Sequence, residues 1–331
     1  SRRRHTRYIS VTGVQTCALP IWKAGKTLRY PGGAGAMDAE GVTLIGGSAA
    51  SGVYVASERD NTASSVSRPS VLRFDAAAFG TDLVAMSEWN LASLLPTLPA
   101  NGGLEGITWI PDATLVAQGF RDEKVGGAYD PAAYPGHGDG LFFVGVEGTA
   151  RIYALALLPD GQATLIATID PKLAVVADVT YDAASGMLYA VCDDACSGEI
   201  HAMRIASAGS AAGTFQTVAA YAQPAGMPTG VGNEGFAIGT CSAGVAPVFY
   251  ADDNAAGGIA LREGAMYCNT YRDSGDAVLL NLLNINDFHG RIDENTVAVA
   301  GTIEQLRSIA GAENTLLLSA GDNIGASLFA S

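Results

Sequence analysis

Between residues 23 and 272 the chain carries a loose internal repeat, and a repeat restricts folding more than any single motif because each copy must form the same local structure. The copies open on a glycine-punctuated acidic start: Ala39-Glu40-Gly41-Val42, Leu104-Glu105-Gly106-Ile107 and Asn233-Glu234-Gly235-Phe236, with Ala177-Asp178-Val179-Thr180 as a degenerate version. An apolar run ending in acids follows each start, over residues 53–58, 141–147, 188–194 and 248–253. In three copies a further apolar stretch comes next, at 71–75, 151–155 and 199–205. These runs are short, rich in β-branched and aromatic residues, and stopped by Gly, Asp or Asn, so they read as strands. Short strands recurring every 50–70 residues or roughly so predict β-propeller blades, each a four-stranded sheet unable to bury both faces alone. The expected fold class is mainly β, an incomplete propeller with about four blades visible.

Inner strands of neighbouring blades line a propeller's channel. Glu40, Glu105 and Glu234, at equivalent positions, are therefore candidates for a ring of oxygen ligands to calcium, which accepts 6–8 of them. The same glutamates also suit turn caps or bonds to backbone N–H groups. Asp193, Asp194, Asp252 and Asp253 read as solvated loop acids. His137 stands in the glycine-rich Pro135-Gly136-His137-Gly138-Asp139-Gly140 and reads as a residue of a flexible loop, whereas His201 alternates along a strand. No Gly-x-Ser-x-Gly elbow occurs, and a serine-hydrolase mechanism gains no support. Gly25-Lys26-Thr27 lacks the upstream glycine of a phosphate-binding loop, and Gly33-Ala34-Gly35 lacks a third glycine for dinucleotide binding.

Gly103-Leu104-Glu105-Gly106-Ile107-Thr108 and Gly232-Asn233-Glu234-Gly235-Phe236-Ala237 resemble motifs of the secreted phytase-like propellers with an esterase-like activity. That resemblance spans most of residues 23–272. It implies the propeller architecture.

The last residues follow a different pattern. Residues 278–285 form an apolar run that reads as a buried strand, Val297, Ile303, Leu306 and Ile309 fall at roughly helical spacing, and 314–319 is a second strand candidate. Strand, helix, strand is a βαβ unit, which puts both strand ends on one edge. Asp287, His289 and Asp322 follow those ends, and carboxylates beside an imidazole suit divalent Zn, Mn or Fe. Each motif alone also fits a turn in which Asp caps backbone N–H groups. Taken together, Leu283-Asn284-Ile285-Asn286-Asp287-Phe288-His289-Gly290-Arg291 and Leu316-Leu317-Leu318-Ser319-Ala320-Gly321-Asp322-Asn323 resemble the opening of the 5'-nucleotidase family of calcineurin-like metallophosphatases. The resemblance implies that Asp287 and His289 bind one metal and that Asp322 bridges two. It also implies a nucleotide-like phosphate monoester as substrate. Residues 273–331 are then expected to be the truncated first part of such a domain, since the family's later Gly-Asn-His block has no counterpart before Ser331 and a part-built site should hydrolyse esters poorly.

The formal net charge is −14. An acidic chain repels phosphate backbones, which argues against nucleic acid as a partner. Val11-Thr12-Gly13-Val14-Gln15-Thr16-Cys17-Ala18-Leu19-Pro20-Ile21 resembles a translated sequencing adapter, so residues 1–22 are expected to be non-native and are set aside from the fold. A signal peptide competes for that stretch, but Ser10, Thr12, Gln15 and Thr16 interrupt its apolar run. No apolar run reaches the roughly 18 residues a membrane span requires. Cys192, Cys196, Cys241 and Cys268 remain outside the adapter-like segment. Their spacing favours disulfides Cys192–Cys196 and Cys241–Cys268 among three possible pairings, over a four-cysteine zinc site or free thiols. Disulfides point to an extracytoplasmic home.

The expected function is that of a secreted metal-dependent phosphoesterase with two divalent ions and an attached propeller. The alternative is a propeller-based binding or recognition module carrying a non-catalytic metallophosphatase remnant.

Overall fold

The computed structural model describes residues 26–223, 227, 228, 230–242, 244–267, 281–285, 294–310 and 315–319. The chain divides into two compact units, Ser1–Asn269 and Thr270–Ser331. Residues 1–22 lie outside the described residues, and so do Cys268, Asp287, His289 and Asp322.

The first unit is a four-bladed β-propeller arrangement of antiparallel sheets. A short strand β1 (Thr27–Arg29) precedes blade one, which comprises β2 (Met37–Ile45), β3 (Ser48–Asp60), β4 (Ser67–Phe74) and β6 (Ser87–Asn90), with β5 (Asp82–Val84) pairing in parallel with β1. Blade two comprises β7 (Leu104–Pro111), β10 (Gly140–Val146), β11 (Arg151–Leu157) and β12 (Ala163–Ile169). Its first hairpin is replaced by an insertion holding α1 (Asp112–Ala117) and the paired strands β8 (Arg121–Asp122) and β9 (Gly127–Ala128). Blade three comprises β13 (Asp178–Asp182), β14 (Met187–Val191), β15 (Ile200–Ile205) and β16 (Phe215–Tyr221). Blade four has three strands among the described residues, β17 (Asn233–Ile238), β18 (Val245–Asp252) and β19 (Leu261–Tyr267), where four were expected.

Local sequence explains the hairpins. Gly46 and Gly47, at φ of +58° and +71°, join paired Ile45 and Ser48, and two residues of positive φ match the right-handed twist of the strands they connect. Packing explains the blades. Every residue of β10 and β14 is buried, as a sheet pressed between two others requires. Tyr54, Val71 and Trp89 of blade one meet Ile107, Phe142 and Val144 of blade two, and the Tyr54 and Phe142 rings stand 4.6 Å apart. Trp89 Nε1 donates to Leu158 O at 2.7 Å across the same seam. Phe120, Phe143, Val179, Leu188, Met203 and Phe215 fill the seam between blades two and three. Tyr189 and Val191 of blade three pack on Phe236, Val248 and Tyr250 of blade four. Each such buried side chain contributes about 1.5–3 kcal/mol by leaving water.

The second unit contains β20 (Asn281–Ile285), α2 (Glu294–Ala310) and β21 (Thr315–Ser319). The two strands are parallel, in register from Asn281 opposite Thr315 to Ile285 opposite Ser319. On α2, Ile303 and Leu306 are half-buried while Val297 is exposed, so the apolar stripe read from spacing is narrower than expected.

Two local readings change. The His137 loop is closed rather than flexible, since His137 is buried and bonded on both ring nitrogens. Asp252 is no solvated loop acid: it is buried, pairs with Arg262 at 2.9 Å and accepts the Gly232 N–H at 3.0 Å. Cys192 and Cys196 form a disulfide with Cα atoms 5.8 Å apart. Cys241 is disulfide-bonded as well. Among the described residues no helix is long and apolar enough to cross a membrane.

Candidate functional site

The Glu-Gly repeat has a structural cause. In blade one the pairing runs Ala39 with Ser57 and Gly41 with Ala56, leaving Glu40 as an extra residue in a bulge. In blade four Asn233 pairs with Asp252 and Gly235 with Ala251, so Glu234 is extra in the same way. Blade two shifts register between Leu104 and Ile107, around Glu105 and Gly106. A bulge re-aims side chains. Blade three carries the degenerate start, and its pairing from Asp178 to Asp182 is regular. The glycines allow the inner strands to touch: a Cβ on Gly41 would lie 2.6 Å from Glu105 O, and one on Gly106 would lie 2.4 Å from Val179 N.

Because antiparallel hairpins set the start of an inner strand beside the end of its partner, the repeat's two acid series meet at one end of the channel. Asp38, Glu40, Glu58, Glu105, Glu147, Asp193, Glu234 and Asp253 line a cavity of about 420 Å³, together with Arg59 and Asn101. Among the described residues, two sets of carboxylates converge within it. Asp38, Glu40 and Glu58 form one and Glu58, Glu105 and Glu147 the other, with ligand oxygens in each set within 4.8 Å of one another. Glu58 belongs to both. It is fixed by the Gly103 N–H, which donates to its Oε1 at 2.7 Å. Arg59 Nε lies 2.7 Å from Asp38 Oδ2 and its Nη1 lies 3.6 Å from Glu58 Oε2.

One guanidinium does not balance these acids. Desolvation, with repulsion from Asp38 and Glu58, pushes Glu40 from 4.5 to about 7. Desolvation, a hydrogen bond to Glu58 and repulsion from Glu58 and Glu40 push Glu105 far above the carboxylate range. Desolvation with Asp253 and Asp193 nearby raises Glu234 to about 7, and desolvation with Glu58 raises Glu147. Such a set either keeps protons or takes up a cation. The donors fit calcium: oxygens on opposite sides of an ion bound at about 2.4 Å stand about 4.8 Å apart.

Beside the cavity, Asp178 ties blades three and four. Its Oδ2 accepts the Phe236 N–H at 2.7 Å and its Oδ1 accepts the Val179 N–H at 2.7 Å. Desolvation outweighs these two donors and raises it to about 7.

The expected ring of Glu40, Glu105 and Glu234 thus shares one cavity, but Glu40 and Glu105 fall in different sets and Glu234 in neither. Sequence reasoning missed Glu58, Glu147 and Asp38 as partners. The signal was present, since Glu58 and Glu147 end the acid-tipped runs of their copies. Asp193 and Asp253, read as loop acids, line the cavity too, whereas Asp194 is exposed.

The chain matches no protein-family model and no curated protein sequence. Among solved structures it is similar to a periplasmic gluconolactonase from Pseudomonas aeruginosa, at 11% identity over 65% of this chain and 65% of that one, with a TM-score of 0.33. It is also similar to an exo-beta-1,3-galactanase from Phanerochaete chrysosporium, at 12% identity over 69% of this chain and 47% of the other, TM-score 0.39. A protein from Lactobacillus plantarum shares 11% identity over 70% and 57% of the two chains, TM-score 0.33. The chain therefore spans less than two thirds of the length of these proteins. The propeller assignment rests on sheet order and seam packing, not on these likenesses.

Proposed function

We propose that the propeller holds calcium in the carboxylate cavity and presents it to an anionic ligand, as part of a secreted metal-dependent phosphoesterase. The observation that carries the calcium reading is the pair of carboxylate sets sharing Glu58, with Arg59 as the one cationic side chain lining the cavity among the described residues. Asp38, Glu40, Glu58, Glu105 and Glu147 would hold the ion, which would neutralise their charge and offer open positions to a phosphate oxygen. Glu58 is the positioning centre, since the Gly103 N–H and the Arg59 guanidinium hold it in place. The disulfides at Cys192–Cys196 and Cys241 support an oxidising compartment.

In the second unit, Asp287, His289 and Asp322 would hold two ions of Zn, Mn or Fe and cleave a nucleotide-like phosphate monoester. Support comes from the parallel pair β20 and β21, whose ends at Ile285 and Ser319 lie side by side and lead into the two motifs. Calorimetric titration of the purified protein with calcium at about pH 8 tests the first part. We expect saturable binding that Glu58→Gln weakens by about tenfold or more, as loss of a shared ligand should. Absence of saturable binding rejects the calcium reading. Assay of the natural full-length protein on a nucleoside monophosphate with Mn or Zn tests the second part. Hydrolysis abolished by Asp322→Ala supports it, while an inactive protein that still binds calcium favours the recognition-module alternative.

A further inference from the structure

Blade one turns a second apolar face away from blade two. Side chains alternate along β3, so Tyr54 and Ala56 pack toward blade two while Val53 and Val55 face the other way. Leu72 and Phe74 of β4 share that second face, and Tyr30, Leu83 and Ala85, in and just after β1 and β5, cover part of it. Strands β1 and β5 have three residues each, too few to cover β2 and β3, which have nine and thirteen. What they leave open is a cavity of about 320 Å³ walled by Leu28, Val42, Val53, Val55, Phe74 and Leu83. Its size and apolar walls are those of a small-ligand site, in which a few polar groups fix the ligand's orientation. Glu40 is that group here: among the described residues it alone brings a charged or polar side chain to the lining.

Glu40 also lines the carboxylate cavity, and its surroundings there decide the charge of the ligand. Asp38, Glu58, Glu234 and Asp253 all repel its charge. Arg59 is taken up by Asp38 and Glu58. Among the described residues no hydrogen bond or ion pair satisfies the Glu40 carboxylate. An anion would add to the repulsion and a neutral ligand would leave it in place, whereas an ammonium group offsets it.

We propose that the apolar cavity of blade one binds a small amphipathic amine, its apolar body packed on Val53, Val55, Phe74 and Leu83 and its ammonium group paired with Glu40. The body contributes by leaving water, and the ammonium contributes a charge-assisted hydrogen bond. Neither part alone matches the site. The inference requires no metal, so its test is made on the metal-free protein and is independent of the calcium reading.

Methyl-resolved NMR titration of the full chain at about pH 8 uses three ligands: 2-phenylethylamine, 2-phenylethanol, which keeps the shape without the charge, and ethylamine, which keeps the charge without the ring. The first should shift the Leu28, Val42 and Val53 methyl signals and bind about tenfold or more tighter than either of the others. Glu40→Gln should bring its affinity down to that of the alcohol. Val42 is 65% exposed, so Val42→Lys should fold normally. That substitution sets a competing ammonium on the cavity wall and should abolish binding. Equal affinity for the amine and the alcohol, equal affinity for the amine and ethylamine, or unchanged binding in Glu40→Gln overturns the proposal. So does a dimer of the parent chain that Val42→Lys dissociates, which would assign this face to a second copy.

Discussion

Asp178 shows how one side chain can join two blades. It replaces the glutamate of the repeat in blade three, and its carboxylate reaches the Phe236 N–H of the next inner strand. Asp178→Ala leaves that N–H without its acceptor and should cost about 1–3 kcal/mol in a denaturant titration, the penalty of an unsatisfied buried donor. Glu105 poses the opposite problem, a desolvated acid crowded by Glu58. In the metal-free protein Glu105→Gln should therefore raise the melting temperature at pH 8, because folding no longer has to protonate an acid that is ionised in the unfolded chain, yet lower calcium affinity. A drop in both would mean that Glu105 serves as a structural hydrogen-bonding group rather than a ligand. Of these residues, Glu105 was legible from the repeat and Asp178 only as a degenerate copy. Its link to Phe236 joins residues 58 positions apart and has no local signature.

Among elements, the inner strands were found by pattern, but their bulges were not. A Glu-Gly dipeptide is compatible with a turn, a cap or a bulge, and the choice depends on what lies across the strand pair. Gly106→Ala tests the packing. Its added Cβ would meet Val179 N at 2.4 Å and Asp178 Oδ1 at 2.6 Å, backbone and anchored groups that cannot swing away. The expected loss is about 1–3 kcal/mol or more, as in other overpacked cores. Gly127→Ala, where nothing lies within 4 Å and φ is not positive, should stay within about 0.5 kcal/mol of the parent. Equal melting temperatures for the two variants would show that the inner strands are free to separate. The glycine-rich stretch 135–140 was read as a flexible loop because its tertiary partners, not its glycines, close it. In the second unit the strand, helix and parallel strand follow the expected order, since periodicity and length are local properties.

At the scale of the whole molecule the channel acids link stability to pH. Glu40 and Glu234 are raised from 4.5 to about 7 in the folded protein, so between those values the native state holds protons that the unfolded chain has lost. Raising pH through that window therefore destabilises the metal-free protein, with the full loss present above about pH 7 and none below about 4.5. Calcium should reverse the loss, raising the melting temperature more at pH 8 than at pH 5, where protons compete for the same oxygens. A calcium shift equal at the two values would separate the ion from these carboxylates. The sequence by itself determined the blade repeat, the strand periods, the acid-tipped runs and the βαβ order, because each depends on neighbours a few residues away. Tertiary structure alone decided that Glu58, 47 positions before Glu105, sits in both carboxylate sets, and that Glu234 stands outside them. It also decided that His137 is buried, because burial and charge sum contributions from several strands that no local stretch encodes.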